Sequence, residues 1–215
     1  MIVTIDGPAG SGKSSTAKAV ARQTGWHYLD SGALYRTFTL IYIRSGADDN
    51  RFEETADNHE IELSVEGRRV ITLLDGKEMG DEIRTKEVSG KVSHVAAIGW
   101  VRDRVNRIMR EAAEKYNFIA DGRDLGSVVF PEARLKFFMV ADPEVRAKRR
   151  FEEMKENGMN PDYDEVLSNI KSRDKADSGR KIAPLTEPEG AIRIDTTSLA
   201  FKKQVELIAE KVKSV

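Results

Sequence analysis

Residues 7–15, Gly-Pro-Ala-Gly-Ser-Gly-Lys-Ser-Ser, constrain this chain more than any other stretch. They fit the spacing G-x-x-x-x-G-K-[ST], with Ser14 in the hydroxyl position. Ile2-Val3-Thr4-Ile5 before them is a β-branched run of the kind that forms a buried parallel strand. After them Ala17, Val20, Ala21 and Thr24 recur at i, i+3, i+4 and i+7, one face of a helix that Gly25 can end. Strand, glycine loop and helix thus follow in the order a phosphate-cradling loop requires. Gly7, Gly10 and Gly12 let the backbone curl so that N–H groups point inward, and Pro8, Ala9, Ser11 and Ser15 complete the loop. The helix that follows adds its positive end to the same anion site. Lys13 is placed to reach the β- and γ-phosphates of a nucleoside triphosphate, and the Ser14 hydroxyl to coordinate Mg²⁺.

A chain of 215 residues supports one sizeable core with small insertions, hardly two full domains. Its formal net charge of −1 gives no general drive toward a nucleic acid polymer or an anionic membrane, so nucleotide recognition must come from locally placed basic residues. Cysteine is absent, which removes disulfides, thiolate zinc sites and a thiol nucleophile. No apolar run approaches the roughly 18 residues of a membrane span, and no signal peptide is visible, because the first strand is expected to begin at residue 2. The expectation is a cytoplasmic protein without a membrane partner. No heptad or exposed apolar stripe argues for a dimer, so a monomer is expected.

The chain alternates strands and helices. Trp26–Leu29 reads as a strand closed by Asp30-Ser31-Gly32, where Ser31 or Asp30 can cap a helix over 33–45. Arg36 would sit in that helix's first turn, where a cation opposes the macrodipole; an anionic ligand there would offset the cost. Residues 60–65 and 69–74 alternate or run apolar around a Glu66-Gly67 turn, with Asp75-Gly76 as the next turn, and predict an antiparallel hairpin. Helical texture fills 82–116, broken near Gly99. Strands are predicted at 117–120, 135–140 and 192–195, and helices from Asp142-Pro143, over 162–174 and after a Thr196 or Thr197 cap. The fold class predicted is α/β, a parallel sheet flanked by helices, with a small β-containing insertion.

The glycine loop does not by itself choose between a GTPase, an ATPase motor and a small-molecule kinase. The guanine-reading sequence N-K-x-D is absent, and no second nucleotide domain or repeat suggests a motor. Arginine is concentrated near predicted strand ends, where open α/β sheets bind ligands, and its planar, permanently charged head suits phosphate.

Several blocks, taken in order, resemble the bacterial-type cytidylate kinases over almost the entire chain. They are Ile5-Asp6-Gly7-Pro8, Leu29–Arg36, Glu82–Thr85 with Val92-Ser93, Ala120–Gly126, Val128–Pro131, Arg173-Asp174, Asp177–Arg180 and Ala183–Leu185. The resemblance implies one domain with a core of about 1–46, 101–145 and 190–215. It implies a monophosphate-binding insertion of about 47–100 and adds a helical lid of about 146–165. It implies transfer of the ATP γ-phosphate to CMP and dCMP, in pyrimidine nucleotide metabolism, with Mg²⁺. Arg36, Arg123 and Arg180 match the positions that hold the monophosphate, with Ser31 alongside them. Ser93, Arg102 and Asp124 match those that read cytosine, and Arg173 and Asp177 those near the ribose. Arg146, Arg149 and Arg150 resemble the basic part of the lid over ATP. Lys13, Arg123 and Arg180 are then the expected catalytic cations. This chain departs from the family in having Ser31 where threonine is common, Ser14-Ser15 after the lysine, and Ile98-Gly99-Trp100 where a proline is usual.

The residue types suit that chemistry. Cytosine carries an amino donor where uracil has a carbonyl acceptor, so the Asp124 carboxylate would favour one base and repel the other. No general base is required, because the second ionisation of a phosphate monoester lies near pH 6. Rival readings are a small kinase acting on UMP or on a hydroxylated acid, and a regulator that binds ATP without transferring phosphate. Acceptor-dependent ADP release separates all three.

Overall fold

A computed structural model describes residues 1–215. The chain begins with β1 (Ile2–Asp6), α1 (Lys13–Thr24), β2 (His27–Asp30) and α2 (Ser31–Arg44). It continues through α3 (Asp49–Asp57), the strands β3 (Ile61–Glu66), β4 (Arg69–Leu74) and β5 (Lys77–Glu78), a 3₁₀ turn at Asp81–Arg84, α4 (Lys86–Val95) and α5 (Gly99–Lys115). It then returns through β6 (Phe118–Gly122), a π-helical turn at Leu125–Val129, β7 (Leu135–Val140), α6 (Pro143–Glu156), α7 (Tyr163–Ser178), β8 (Ile192–Asp195) and α8 (Phe201–Lys213).

Five strands form one parallel sheet in the order β2-β6-β1-β7-β8. Both faces are covered, and side-chain alternation divides the core in two. Val3 and Ile5 of β1, Ile119 of β6 and Phe137 and Met139 of β7 pack with α1 and α8. Phe118 and Ala120 of β6 and Leu29 of β2 pack instead with α2, α4 and α5. The chain adds β6 on one side of β1 and β7 on the other, so the sheet switches direction beside β1 and β6. The C-terminal ends of these two strands are where such a sheet opens a ligand crevice.

The second sheet, β3-β4-β5, is antiparallel. Asp75 and Gly76, with φ of 52° and 74°, make the two-residue turn into β5; two positive φ angles are what a type I′ turn demands. Leu74, with Ile61 and Leu63 against it, belongs to the same apolar cluster as α2 and α5, so this sheet shares the main core. No helix is long and apolar enough to cross a membrane.

Several boundaries differ from the sequence expectation. Strand β2 runs one residue later than Trp26–Leu29, because Asp30 still pairs with Asp121 in the sheet register. Helix α2 begins at Ser31, since the Asp30 carboxylate accepts from Ala33 N–H at 3.0 Å and caps it. Arg36 therefore lies in the second turn, not the first. Strand β6 extends through Asp121 and Gly122, which pair with Ile5 and Asp6 of β1. Helix α7 continues four residues past Asp174 and brings Asp177 onto its last turn. Neither Thr196 nor Thr197 caps α8; Ala200 precedes it, and Thr196 is used elsewhere.

Candidate active site

The glycine loop joins β1 to α1 along the edge of the crevice. Gly7 passes so close to β7 that a β-carbon on it would lie 2.1 Å from the Met139 carbonyl oxygen. Only a residue without a side chain fits. Gly12, at φ 87°, precedes α1 and supplies no side-chain cap, so the first N–H groups of α1 remain available to an anion. Lys13 is buried and its Nζ donates across the loop to the Pro8 carbonyl at 3.1 Å.

Side chains from distant elements hold the loop from behind. Thr196 Oγ1 donates to the Ser11 carbonyl at 3.0 Å. Arg146, buried in α6, donates to the Ala9 carbonyl at 3.0 Å and forms a two-pronged pair with Asp174 at 2.9 and 2.6 Å. Arg149 binds Thr196, and exposed Arg150 pairs with Glu153 at 2.7 Å. Of the three basic residues matched to the lid, two thus engage the loop or its support.

Ser14 reveals a residue that motif reading passed over. Its hydroxyl donates to Asp121 Oδ2 at 2.7 Å, and the Tyr28 hydroxyl donates to Asp121 Oδ1 at 2.6 Å. Burial pushes the Asp121 carboxyl up, and the neighbouring Asp30 adds to the rise, while Lys13 opposes it. Lys13 is itself pulled well below the ordinary lysine value, by burial first and then by Arg123. A hydroxyl and a carboxylate side by side are hard oxygen donors. They fit Mg²⁺, which takes few protein ligands. The sequence signal for Asp121 was present: an acid at the end of the strand that neighbours β1.

A cluster of arginines faces this corner. Arg123, just past β6, gives Nε to Asp177 Oδ2 at 2.8 Å, and Arg180 binds the other oxygen of Asp177. Burial would raise the Asp177 carboxyl, but Arg123 and Arg180 outweigh it and hold it below the usual range. Arg173, one turn before Asp177 on α7, is lowered to about 10, by burial and then by repulsion from Arg123, with Arg36 and Arg150 contributing. Arg36 is likewise lowered, by burial first. Its guanidinium folds back over the start of α2, where a β-carbon on Gly32 would lie 2.7 Å from Nη1. The cation thus reaches the helix N-terminus although its residue lies a turn later. Arg84, which sequence reading left without a role, pairs with Asp30 at 3.3 Å and repels Arg36. Mutually repelling, half-buried guanidinium groups gathered at one corner are what an anion would relieve. Ser31 is buried and donates to the Asp121 carbonyl at 2.7 Å, tying β6 to α2.

Beyond the arginines lies a buried ion pair, Arg102 with Asp124 Oδ2. Arg102 also donates from Nη1 to the Ala96 carbonyl at 3.1 Å, and its guanidinium lies 5.7 Å from the centre of the Tyr35 ring. Burial raises the Asp124 carboxyl, with Arg102 the strongest opposing influence. Ser93 is half-buried on α4, whose end supplies the Ala96 carbonyl. The structure thus gathers Lys13, Arg36, Arg123, Arg173, Asp177 and Arg180 in one electrostatic neighbourhood, with the Arg102–Asp124 pair adjoining it. His27, His59 and His94 stay apart from it; His59 pairs with Asp75 and His94 with Asp49.

The model of the family described as cytidylate kinase matches residues 3–214 of this chain. The chain belongs to the cytidylate kinase family. A cytidylate kinase of Caldanaerobacter subterraneus subsp. tengcongensis is 47% identical over 214 residues, covering 98% of this chain and 94% of that protein. One from Clostridioides difficile is 41% identical over 215 residues, covering 99% and 98%. Among solved structures, an uncharacterised protein from Eubacterium ventriosum shares the fold, with a TM-score of 0.53 at 14% identity over 100% of this chain and 99% of that one. As a member of this family the protein is a nucleoside monophosphate kinase.

Proposed function

We propose that the protein transfers the γ-phosphate of ATP to CMP and dCMP, giving ADP and the corresponding diphosphate. The observation that carries this is the side-by-side placement of two anion sites at the ends of β1 and β6, with a buried base-reading pair next to one of them. The glycine loop, the first turn of α1 and Lys13 hold the triphosphate. Arg36, Arg123 and Arg180 hold the monophosphate, with Arg173 and Asp177 beside the ribose. Ser93, Arg102 and Asp124 read the base; the Asp124 oxygen not engaged by Arg102 accepts from the cytosine amino group. A uracil carbonyl at that position would leave a buried carboxylate facing an acceptor, a strong discriminator.

Ser14 and Asp121 would hold Mg²⁺, which neutralises developing phosphate charge when bound. No side chain is assigned as general base, because the acceptor phosphate is already an anion at neutral pH. The protein's own contribution is alignment of two phosphates that would otherwise repel, and stabilisation of charge by Lys13, Arg123 and Arg180. The region of about 146–165, resting on Arg146, acts as the lid that keeps water from the γ-phosphate. The insertion of about 47–100 forms one wall of the monophosphate site.

The test is ADP release from ATP and Mg²⁺ with CMP, dCMP, UMP, AMP or no acceptor. Release with CMP and dCMP well above UMP and AMP is expected. Equal release with UMP would overturn the base-reading assignment, and acceptor-independent release would overturn the reaction.

A further inference from the structure

Asp6 ends β1, immediately before the glycine loop, and is fully buried. Its carboxylate is not spent on an ion pair. Oδ1 accepts from the Leu125 N–H at 2.9 Å and Oδ2 from the Gly126 N–H at 2.7 Å. These are the first two N–H groups of the π-helical turn that follows Asp124, groups that a helical start leaves unpaired. The turn is short and irregular: the Asp124 carbonyl accepts from Val128 and Val129 N–H, and the Leu125 carbonyl from Phe130 N–H. Its far end is held by Arg110 of α5, whose Nε and Nη2 donate to the carbonyls of Val129 and Val128 at 3.0 and 3.2 Å.

An anion at the N–H end and a cation at the carbonyl end complement the dipole of the turn. The two supports also connect separate parts of the site. Asp6 belongs to the strand that launches the ATP loop, and Arg110 to the helix that carries Arg102. Asp124 immediately precedes the turn that they hold, and its carboxylate must meet both Arg102 and the base. Gly126 leaves no slack, since a β-carbon there would lie 2.8 Å from Thr4 Oγ1.

We infer that Asp6 is a positioning residue for base recognition. By holding the Leu125 and Gly126 N–H groups, it fixes where Asp124 presents its carboxylate and makes the ATP loop and the base-reading turn one rigid unit. The inference rests on the base-reading role assigned to Asp124 above. It gives a buried carboxylate, raised to about 7 chiefly by burial and stabilised by those two N–H bonds, a functional reason to be there.

The experiment is the ratio of kcat/KM for CMP to that for UMP, measured on one preparation each of the wild-type protein, Asp6→Asn and Arg110→Gln. Asparagine keeps the shape, but its amide can accept only one N–H and turns a donor toward the other. Misplacement of a recognition group by about 1 Å can cost about a hundredfold. We therefore expect the Asp6→Asn ratio to fall by about tenfold or more, with the KM for ATP changing much less. Arg110→Gln should lower the ratio in the same direction by less. A purely structural role would reduce folded protein and the melting temperature but leave the ratio intact, because inactive molecules divide out. An unchanged ratio in folded Asp6→Asn overturns the inference. If Asp6→Asn does not fold, an unchanged ratio in Arg110→Gln overturns it. A wild-type protein without preference for CMP is a separate result, which overturns the base-reading role of Asp124 itself.

Discussion

The donor and acceptor halves of the site are built from different materials. The donor half is backbone: a loop of small residues that runs into the uncapped first turn of α1 and whose carbonyls are gripped from behind by Arg146 and Thr196. The acceptor half is side chain: guanidinium groups from α2, the end of β6, α7 and the segment after it, two of which, Arg123 and Arg180, share one carboxylate, Asp177. A backbone site is broken by adding atoms, and a side-chain site by removing them. Substitutions should therefore act with opposite logic on the two halves.

The largest effect is expected at Gly7. Gly7→Ala drives a methyl group against the Met139 carbonyl, which is main chain and cannot step aside. ATP binding measured by calorimetry should fall below detection, and the melting temperature should drop. Retained ATP affinity would show that the loop does not depend on its approach to β7.

Arg123→Ala comes next. It deletes a guanidinium from the acceptor cluster and leaves Asp177 with Arg180 alone. Loss of one preorganised charge-stabilising donor costs about a hundred- to a thousandfold in turnover. We expect kcat/KM for CMP to fall by that order while the affinity for ATP stays within a few-fold. An equal loss of ATP affinity would mean that the two halves are not separable.

The same contrast explains what could be read from the sequence. The donor half is contiguous over residues 7–15, and its flanking strand and helix carry their own periodicity, so local rules were enough. The order of strands and helices was legible for the same reason. Boundaries slipped where tertiary partners decided them. Asp30 and Asp121 look like loop residues but pair in the sheet, and α7 runs on because Asp177 is held by two arginines. The acceptor half draws on residues from 36 to 180, and no spacing rule links Arg36 to Arg173; their places near predicted strand ends made them candidates for binding phosphate, and the resemblance gave each its role. Asp6, Tyr28 and Asp121 escaped because each contributes through a partner far along the chain. A polar residue in or beside a buried strand was the only available hint.

Protonation of Lys13 tests the donor half without any substitution. Burial and Arg123 hold its amino group well below the ordinary lysine value. A bound triphosphate favours the charged form and raises that value again. Binding in the mildly alkaline range therefore takes up a proton, and ATP affinity falls as pH rises through that range. The binding heat at pH 8 should differ between buffers of different ionisation enthalpy. Identical heats would mean that Lys13 is already charged before ATP arrives.

The smallest effect sharpens the boundary between the halves, at Asp121, where β6 of the acceptor side meets Ser14 of the donor loop. Tyr28→Phe removes one hydroxyl and leaves Asp121 Oδ1 without that donor, while Ser14 keeps Oδ2. A lost hydrogen bond to a charged group is worth about 1.5–3 kcal/mol, and partial replacement by water reduces it. The carboxylate then has greater freedom to turn away from Ser14. The Mg²⁺ concentration giving half-maximal activity should rise by a few-fold, and direct binding of Mn²⁺, followed by electron paramagnetic resonance in the presence of a non-hydrolysable ATP analogue, should weaken in step. KM for CMP should stay constant, because none of the arginine contacts changes. A shift in KM for CMP with unaltered Mn²⁺ binding would instead assign Tyr28 and Asp121 to the acceptor half, and the line between backbone-built and side-chain-built recognition would have to be drawn on the other side of β6.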